Sequence, residues 1–135
     1  LPPAAVETRQ DLTARWWREE RNKYELIASD VVEAECRKGD SEQVARRQAL
    51  LEKIAILPPA ESLIVLAEAL VVPGGIPTTA APDAVHVASA VIHRCDYLLT
   101  WNMRHIANAR IRRVIEAIIE RRGYVKPTIC TPEEL

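Results

Sequence analysis

The stretch from Pro82 to Asn102 most narrows the folds open to this chain, because a helix pattern apolar on nearly every side leads into a short apolar strand. Val85, Ala88 and Ile92 lie on one side of the helix and Val87 and Val91 on another, so it expects cover all round, against a sheet. Pro82 suits its first position. Tyr97 to Thr100 then reads as the best strand in the chain, entered from Asp96 and left through the polar exit Thr100, Trp101 and Asn102. In a parallel α/β sheet, ligands and metals gather at the carboxyl ends of the strands. Asp83 sits at the helix start, where free backbone amides favour an ionised carboxylate, and is the first candidate for chemistry. A plain helix-capping acid is the simpler role open to it.

The rest of the chain alternates in the same way. Glu7 to Asn22 reads as a first helix, with Leu12, Trp16 and Trp17 on a common side, and Tyr24 to Ala28 as a short strand. Ser29 or Asp30 caps a helix through Arg37 that Gly39 ends, and Ser41 caps the next, Glu42 to Ile54. Ile54 to Leu57 is a poor strand candidate. Ala60 to Val72 forms an apolar helix after Pro58-Pro59, and the run Pro73 to Pro77, PGGIP, breaks the chain. A long helix from about Ala109 to Arg122 stops at Gly123, and Pro127 to Cys130 supplies a last strand. The pattern predicts an α/β fold with a parallel sheet. Three strands are few for a sheet covered on both faces, and Leu1, Pro2 and Pro3 look like the loop after an element. An upstream strand is therefore expected, making residues 1–135 a single, N-terminally incomplete domain.

With 135 residues and 48% hydrophobic content the chain can build one core. Its longest apolar run, around Leu63 to Val72, is interrupted by Glu68 and too short for a bilayer; with no secretory leader visible, a cytoplasmic home is the default. Cys36, Cys95 and Cys130 form no CxxC pattern, so buried free thiols are expected. A net charge of -1 excludes a surface that grips nucleic acid everywhere. The charge is uneven, however: seven Lys or Arg from Arg104 to Lys126 face only Glu116 and Glu120. That region can follow a phosphate backbone, or it can be a solvated face with Arg112 paired to Glu116.

Glu35 is the second acidic candidate. It falls near the end of the helix after the first strand, on a face with Val31 and Val32, where a buried carboxylate must be paired or bind a cation. Glu33 is the rival position and the more exposed. Asn102 can offer an oxygen to a metal or its water, or serve as a turn residue, and Thr100 can donate to a carboxylate. Asp96 precedes its strand and belongs at the opposite edge. Asp83, His86 and His105 also sketch a transition-metal set, while core or locally bonded histidines are the alternative. Glu35, Asp83 and Asn102 together make an oxygen set suited to Mg²⁺ or Mn²⁺, which keep several waters and lean on substrate phosphates. A metal there activates water and steadies charge on a phosphodiester. No visible strand ends in Asp, which argues against a phosphotransfer domain.

Three strings, SDVVEAE (Ser29 to Glu35), DAVHVASAVIHRCDYLLTWNMRHIANA (Asp83 to Ala109) and GYVKPTICTPEEL (Gly123 to Leu135), resemble in order and spacing a subfamily of the PIN-domain ribonucleases, which include the VapC-like toxins of type II toxin-antitoxin systems. The resemblance implies a helix-rich three-layer α/β/α fold with a parallel central sheet. It implies a Mg²⁺- or Mn²⁺-dependent endoribonuclease, with Glu35 and Asp83 as the family's second and third acids. Asn102 would take the strand-exit position that is Asp in many members, with the Thr100 hydroxyl beside it. The family's first acid ends a first strand, and nothing before Glu7 supplies one. An antitoxin peptide over the acidic pocket and a homodimer are further implications. Tandem Trp16 and Trp17 fit a partner surface or packing against different elements. The alternative is a catalytically incomplete PIN-like module that binds RNA or a partner protein.

Overall fold

The computed structural model describes residues 9–135, so the expected helix start at Glu7 and the Pro-rich opening lie outside the described residues. The chain is α/β, with six α-helices and four short strands among those residues. Helix α1 (Arg9–Glu19) is followed by a one-turn 3-10 helix and strand β1 (Ile27–Ser29). Next come α2 (Asp30–Cys36), α3 (Ser41–Leu51), β2 (Ala55–Leu57) and α4 (Glu61–Leu70). The second half holds α5 (Ala81–Ile92), β3 (Tyr97–Leu99), α6 (Ala109–Arg121) and β4 (Thr128–Cys130).

Helices α4 and α5 build the core on matching stripes. Leu63, Leu66, Ala67 and Leu70 of α4, and Ala84, Val87, Ala88 and Val91 of α5, are buried at the same i, i+3, i+4, i+7 spacing. Ile115 and Ile119 of α6 complete it, with Ile76, Ile106 and Ile129 from the connections and β4. The cover that the all-round apolar α5 requires therefore comes chiefly from α4 rather than from the sheet. Pro82 is the second helical residue, since α5 begins at Ala81.

The turn from α4 to α5 depends on a glycine pair. Gly74 has φ +81°, a left-handed conformation. The Ile76 amide returns to the Leu70 carbonyl at 3.1 Å and the Gly75 amide to Val72 at 2.9 Å, satisfying carbonyls at the end of α4. A Cβ on Gly75 would lie 2.9 Å from both the Leu70 carbonyl oxygen and Val72 Cγ2. The break expected at PGGIP is thus a folded return that brings α5 onto α4.

Two caps follow local chemistry. The Ser29 hydroxyl accepts from the Val32 amide at 3.3 Å and opens α2. Asp40, not Ser41, caps α3, accepting from the Glu42 and Gln43 amides at 3.1 and 3.0 Å.

The strands depart from expectation in number and pairing. Ala55–Leu57 is a strand after all, lying parallel to β1 with Ile27 opposite Ala55 and Ser29 opposite Leu57. Three residues are too few to show a period in sequence; the β1 ladder supplies what the local pattern lacks. Strand β4 lies parallel to β3, with Tyr97 opposite Thr128 and Leu99 opposite Cys130. Among the described residues these are two separate two-stranded sheets, not one central sheet, because β1 and β3 have no ladder between them.

Aromatic contacts relate the two pairs. Trp16 of α1 is buried and stacks on Tyr24, and Tyr24 meets Tyr97 edge-on with ring centroids 5.9 Å apart. Tyr24 precedes β1 and Tyr97 opens β3, so the two pairs begin at a common end. Trp17 is half-buried, with the Arg21 guanidinium 5.0 Å from its ring centroid, so each tryptophan is covered by a different neighbour. Burial is lopsided, since neither α2 nor α3 has a buried residue.

Leu66→Ala, at a site 1% exposed in the α4–α5 seam, is expected to cost about 2–5 kcal/mol in urea denaturation. Gly75→Ala forces backbone to move and is expected to cost about 1–3 kcal/mol, although it adds a single methyl group.

Candidate functional site

Strand β3 ends in a tightly bonded loop. The Thr100 amide continues the ladder to the Cys130 carbonyl at 2.9 Å, and the Asn102 amide donates to the Thr100 hydroxyl at 2.9 Å. Asn102 Oδ1 then accepts from the His105 amide at 2.9 Å, while its carbonyl accepts from the Ile106 and Ala107 amides. This is the turn role of asparagine, and it commits one lone pair of the oxygen expected to face a metal. Thr100 acts as an acceptor within the same turn, with its own proton still available to a neighbour.

The loop delivers His105 to Asp83. Nδ1 of the imidazole lies 3.1 Å from Asp83 Oδ2, and the two side chains are 24% and 20% exposed. Helix α5 runs back across β3, so its first turn, which holds Asp83, lies at the exit end of that strand. One turn further along α5, His86 Nε2 lies 3.3 Å from Glu35 Oε1 at the end of α2. Each expected acid therefore meets an imidazole, and α5 links the pairs through Asp83 and His86 at i, i+3 spacing.

Glu35 is less enclosed than its apolar neighbours suggested, with 47% of its side chain exposed. Glu33 pairs with Arg37 one turn along α2, with 36% exposure, so the expected ranking of the two acids by burial is reversed. The short helix α2 lies on the surface, and no residue of it is buried. Glu35 is distinguished instead by its reach to His86. The sequence signal for both histidines was their spacing from Asp83 and from the strand exit, which pointed to a metal set where the structure forms carboxylate pairs.

Among the described residues, no three of His, Cys, Asp and Glu converge closely enough to hold a metal ion. The donor chemistry of Asp83 and Glu35 nonetheless suits a hard cation, because each contacts its imidazole through one oxygen and a carboxylate carries two. Asp96 sits at the entry end of β3, where its carbonyl accepts from the Thr128 amide at 2.9 Å, apart from this cluster.

Helix α1 closes over the exit. Trp101 Nε1 donates to the Thr13 hydroxyl at 2.7 Å, and the Arg9 guanidinium lies 5.3 Å from the Trp101 ring centroid and reaches Met103 Sδ. Within the basic stretch after Arg104, Arg112 donates to the Ile129 carbonyl at 3.3 Å rather than pairing with Glu116. Lys126 takes both Glu116 and Glu120, at 3.2 and 3.1 Å. Their hydrogen bonds and charge raise the Lys126 pKa, with Glu120 contributing first, and Glu20 does the same for Lys23.

Burial pushes the thiols of Cys36, Cys95 and Cys130 above the ordinary cysteine value, helped at Cys95 by Asp96 and at Cys130 by Glu134. At Cys36 the effect of burial is partly offset by Arg47 and reinforced by Glu35. A raised pKa contributes stability that is complete below the unfolded value and is lost as pH rises through the folded one. These thiols and lysines all act in that direction, so the urea midpoint is expected to fall as pH climbs through the thiol and lysine ranges. Iodoacetamide should label the native thiols more slowly than those of the unfolded chain at neutral pH.

No helix among the described residues is long and apolar enough to cross a membrane. No protein-family model, curated protein or solved structure matches the chain, which leaves the paired carboxylates and the strand exit to carry the functional reading.

Proposed function

We propose that the chain is a Mg²⁺- or Mn²⁺-dependent endoribonuclease of the PIN type, a toxin-like hydrolase of RNA phosphodiester bonds. The observation that carries this reading is the placing of two carboxylate–imidazole pairs, Asp83 with His105 and Glu35 with His86, along α5, the first of them at the Thr100–Asn102 exit of a parallel strand. Oxygen ligands at the carboxyl end of parallel strands are a common setting for phosphate chemistry. In the proposed fold the two parallel pairs are parts of one sheet with helices on both faces. The common starting end set by Tyr24 and Tyr97 favours that arrangement.

In this reading Asp83 and Glu35 would hold the cation, with Asn102 Oδ1 as a neutral third donor. Bound there, the ion supplies charge neutralisation at the phosphodiester and activates the attacking water. The residues do the positioning. Asp83 is set by the first turn of α5. His105 and His86 orient the two carboxylates from the sides, and the Thr100 hydroxyl and Asn102 hold the exit loop against them. Exposed Arg104 and Arg110, on either side of His105 in sequence, offer a path for the RNA backbone. A homodimer and an antitoxin whose peptide covers the acidic pocket belong to the same proposal.

One observation favours the second reading, a PIN-like module that binds RNA or a partner without cutting. Asp83 and Glu35 are each engaged by an imidazole, and no cluster of three metal-ligating side chains stands among the described residues. The two readings separate on Mn²⁺ binding by calorimetry and on cleavage of a labelled RNA. The nuclease should bind Mn²⁺ and cut, leaving 5′ phosphate ends. Asp83→Asn should lower the cleavage rate by about a hundredfold or more, as expected when a charge stabiliser of the transition state is lost. RNA binding with no Mn²⁺ uptake and no cleavage would establish the module instead.

A further inference from the structure

We infer that the groove between α4 and α6 is a docking site for a partner-protein segment in which aliphatic side chains are bracketed by aspartate or glutamate. The groove has a volume of about 820 Å³ and lies apart from the carboxylate–imidazole pairs. Its floor is aliphatic, formed by Ala69 of α4, Val72 of the turn that follows it, and Val114, Ala117 and Ile118 of α6. Arg113, Arg121 and Arg122 stand around it, all exposed.

The charges identify the occupant. The glutamates of α6, Glu116 and Glu120, are drawn away to Lys126, and among the described residues no carboxylate engages the side chains of Arg113, Arg121 or Arg122. Three uncompensated guanidiniums beside an aliphatic floor ask for carboxylates beside aliphatic side chains. The positions Val114, Ala117, Ile118 and Arg121 follow i, i+3, i+4, i+7 spacing and span about 10 Å, the length of two helical turns in a partner. Small Ala69 and Ala117 let a partner backbone approach closely.

The alternatives fit less well. Single-stranded RNA would find guanidiniums for its phosphates, but the groove offers no aromatic ring on which a base can stack. A two-fold contact with a second copy through this same face would set arginine against arginine.

The test is to pan a random-peptide display library against the full chain and to measure selected peptides by fluorescence anisotropy. Enrichment of Asp or Glu on either side of Leu, Ile or Val is expected. Affinity should fall at least about tenfold in the Arg121→Glu, Arg122→Glu double variant and should weaken with added salt. Ala117→Trp fills the floor without touching a charge and should also abolish binding; circular dichroism checks that the variants fold, and Arg113→Glu provides an independent surface variant. The inference is overturned if selected peptides show no acidic enrichment, or if they bind the folded variants as tightly as the parent chain. It is equally overturned if those peptides fail while an oligouridylate or phosphatidylserine vesicles bind in a manner that depends on Arg121 and Arg122.

Discussion

The seam between α4 and α5 is the contact on which the remainder of the molecule is hung. Two helices with identical apolar spacing face one another, and the return at Gly74 and Gly75 sets how they meet. Helix α6 then closes over the seam with Ile115 and Ile119, and β3 follows from the end of α5. Because α5 is packed on several sides, it cannot rotate to suit a ligand. Asp83 and His86 are therefore held in fixed directions by the packing of the core, and α5 is the frame for both carboxylate–imidazole pairs.

The pairs also limit what the site can do as it stands. A carboxylate facing an imidazole is well satisfied, and a cation must compete for it or use its second oxygen. Asn102 illustrates the same economy, since its side-chain oxygen is engaged in the turn that carries His105 to Asp83. A substitution of Asn102 chosen to probe a ligand would therefore also disturb the shape of the loop.

Helix positions were legible wherever an apolar stripe or a punctuating residue marked them. The α4 and α5 patterns, the break at Pro73–Pro77 and the stop at Gly123 all carry their physical cause in the local sequence. Strand β2 was not legible, because three residues hold no period and its stability comes from β1 across the chain. The two-sheet pairing and the Asp40 cap likewise depend on geometry that neighbouring residue types leave open. At the site, Asp83 and the Thr100–Asn102 exit were visible from helix and strand boundaries, whereas the His86–Glu35 contact joins residues 51 positions apart and follows only from how α2 lies beside α5. Glu35 is exposed despite its apolar neighbours because a seven-residue helix on the surface does not bury the side chains beside them.

The uneven burial between the two halves has a consequence for ligand affinity. Asp83 stands on a helix embedded in the core, while Glu35 ends a helix with no buried residue, followed by another with none. Segments with few buried apolar contacts open at lower free energy than the core they adjoin. A ligand that spans both carboxylates would meet a fixed frame on one side and a lightly held segment on the other. Part of its binding free energy would go into keeping α2 in place, so occupancy of the site and order in residues 27–57 would behave as one linked equilibrium.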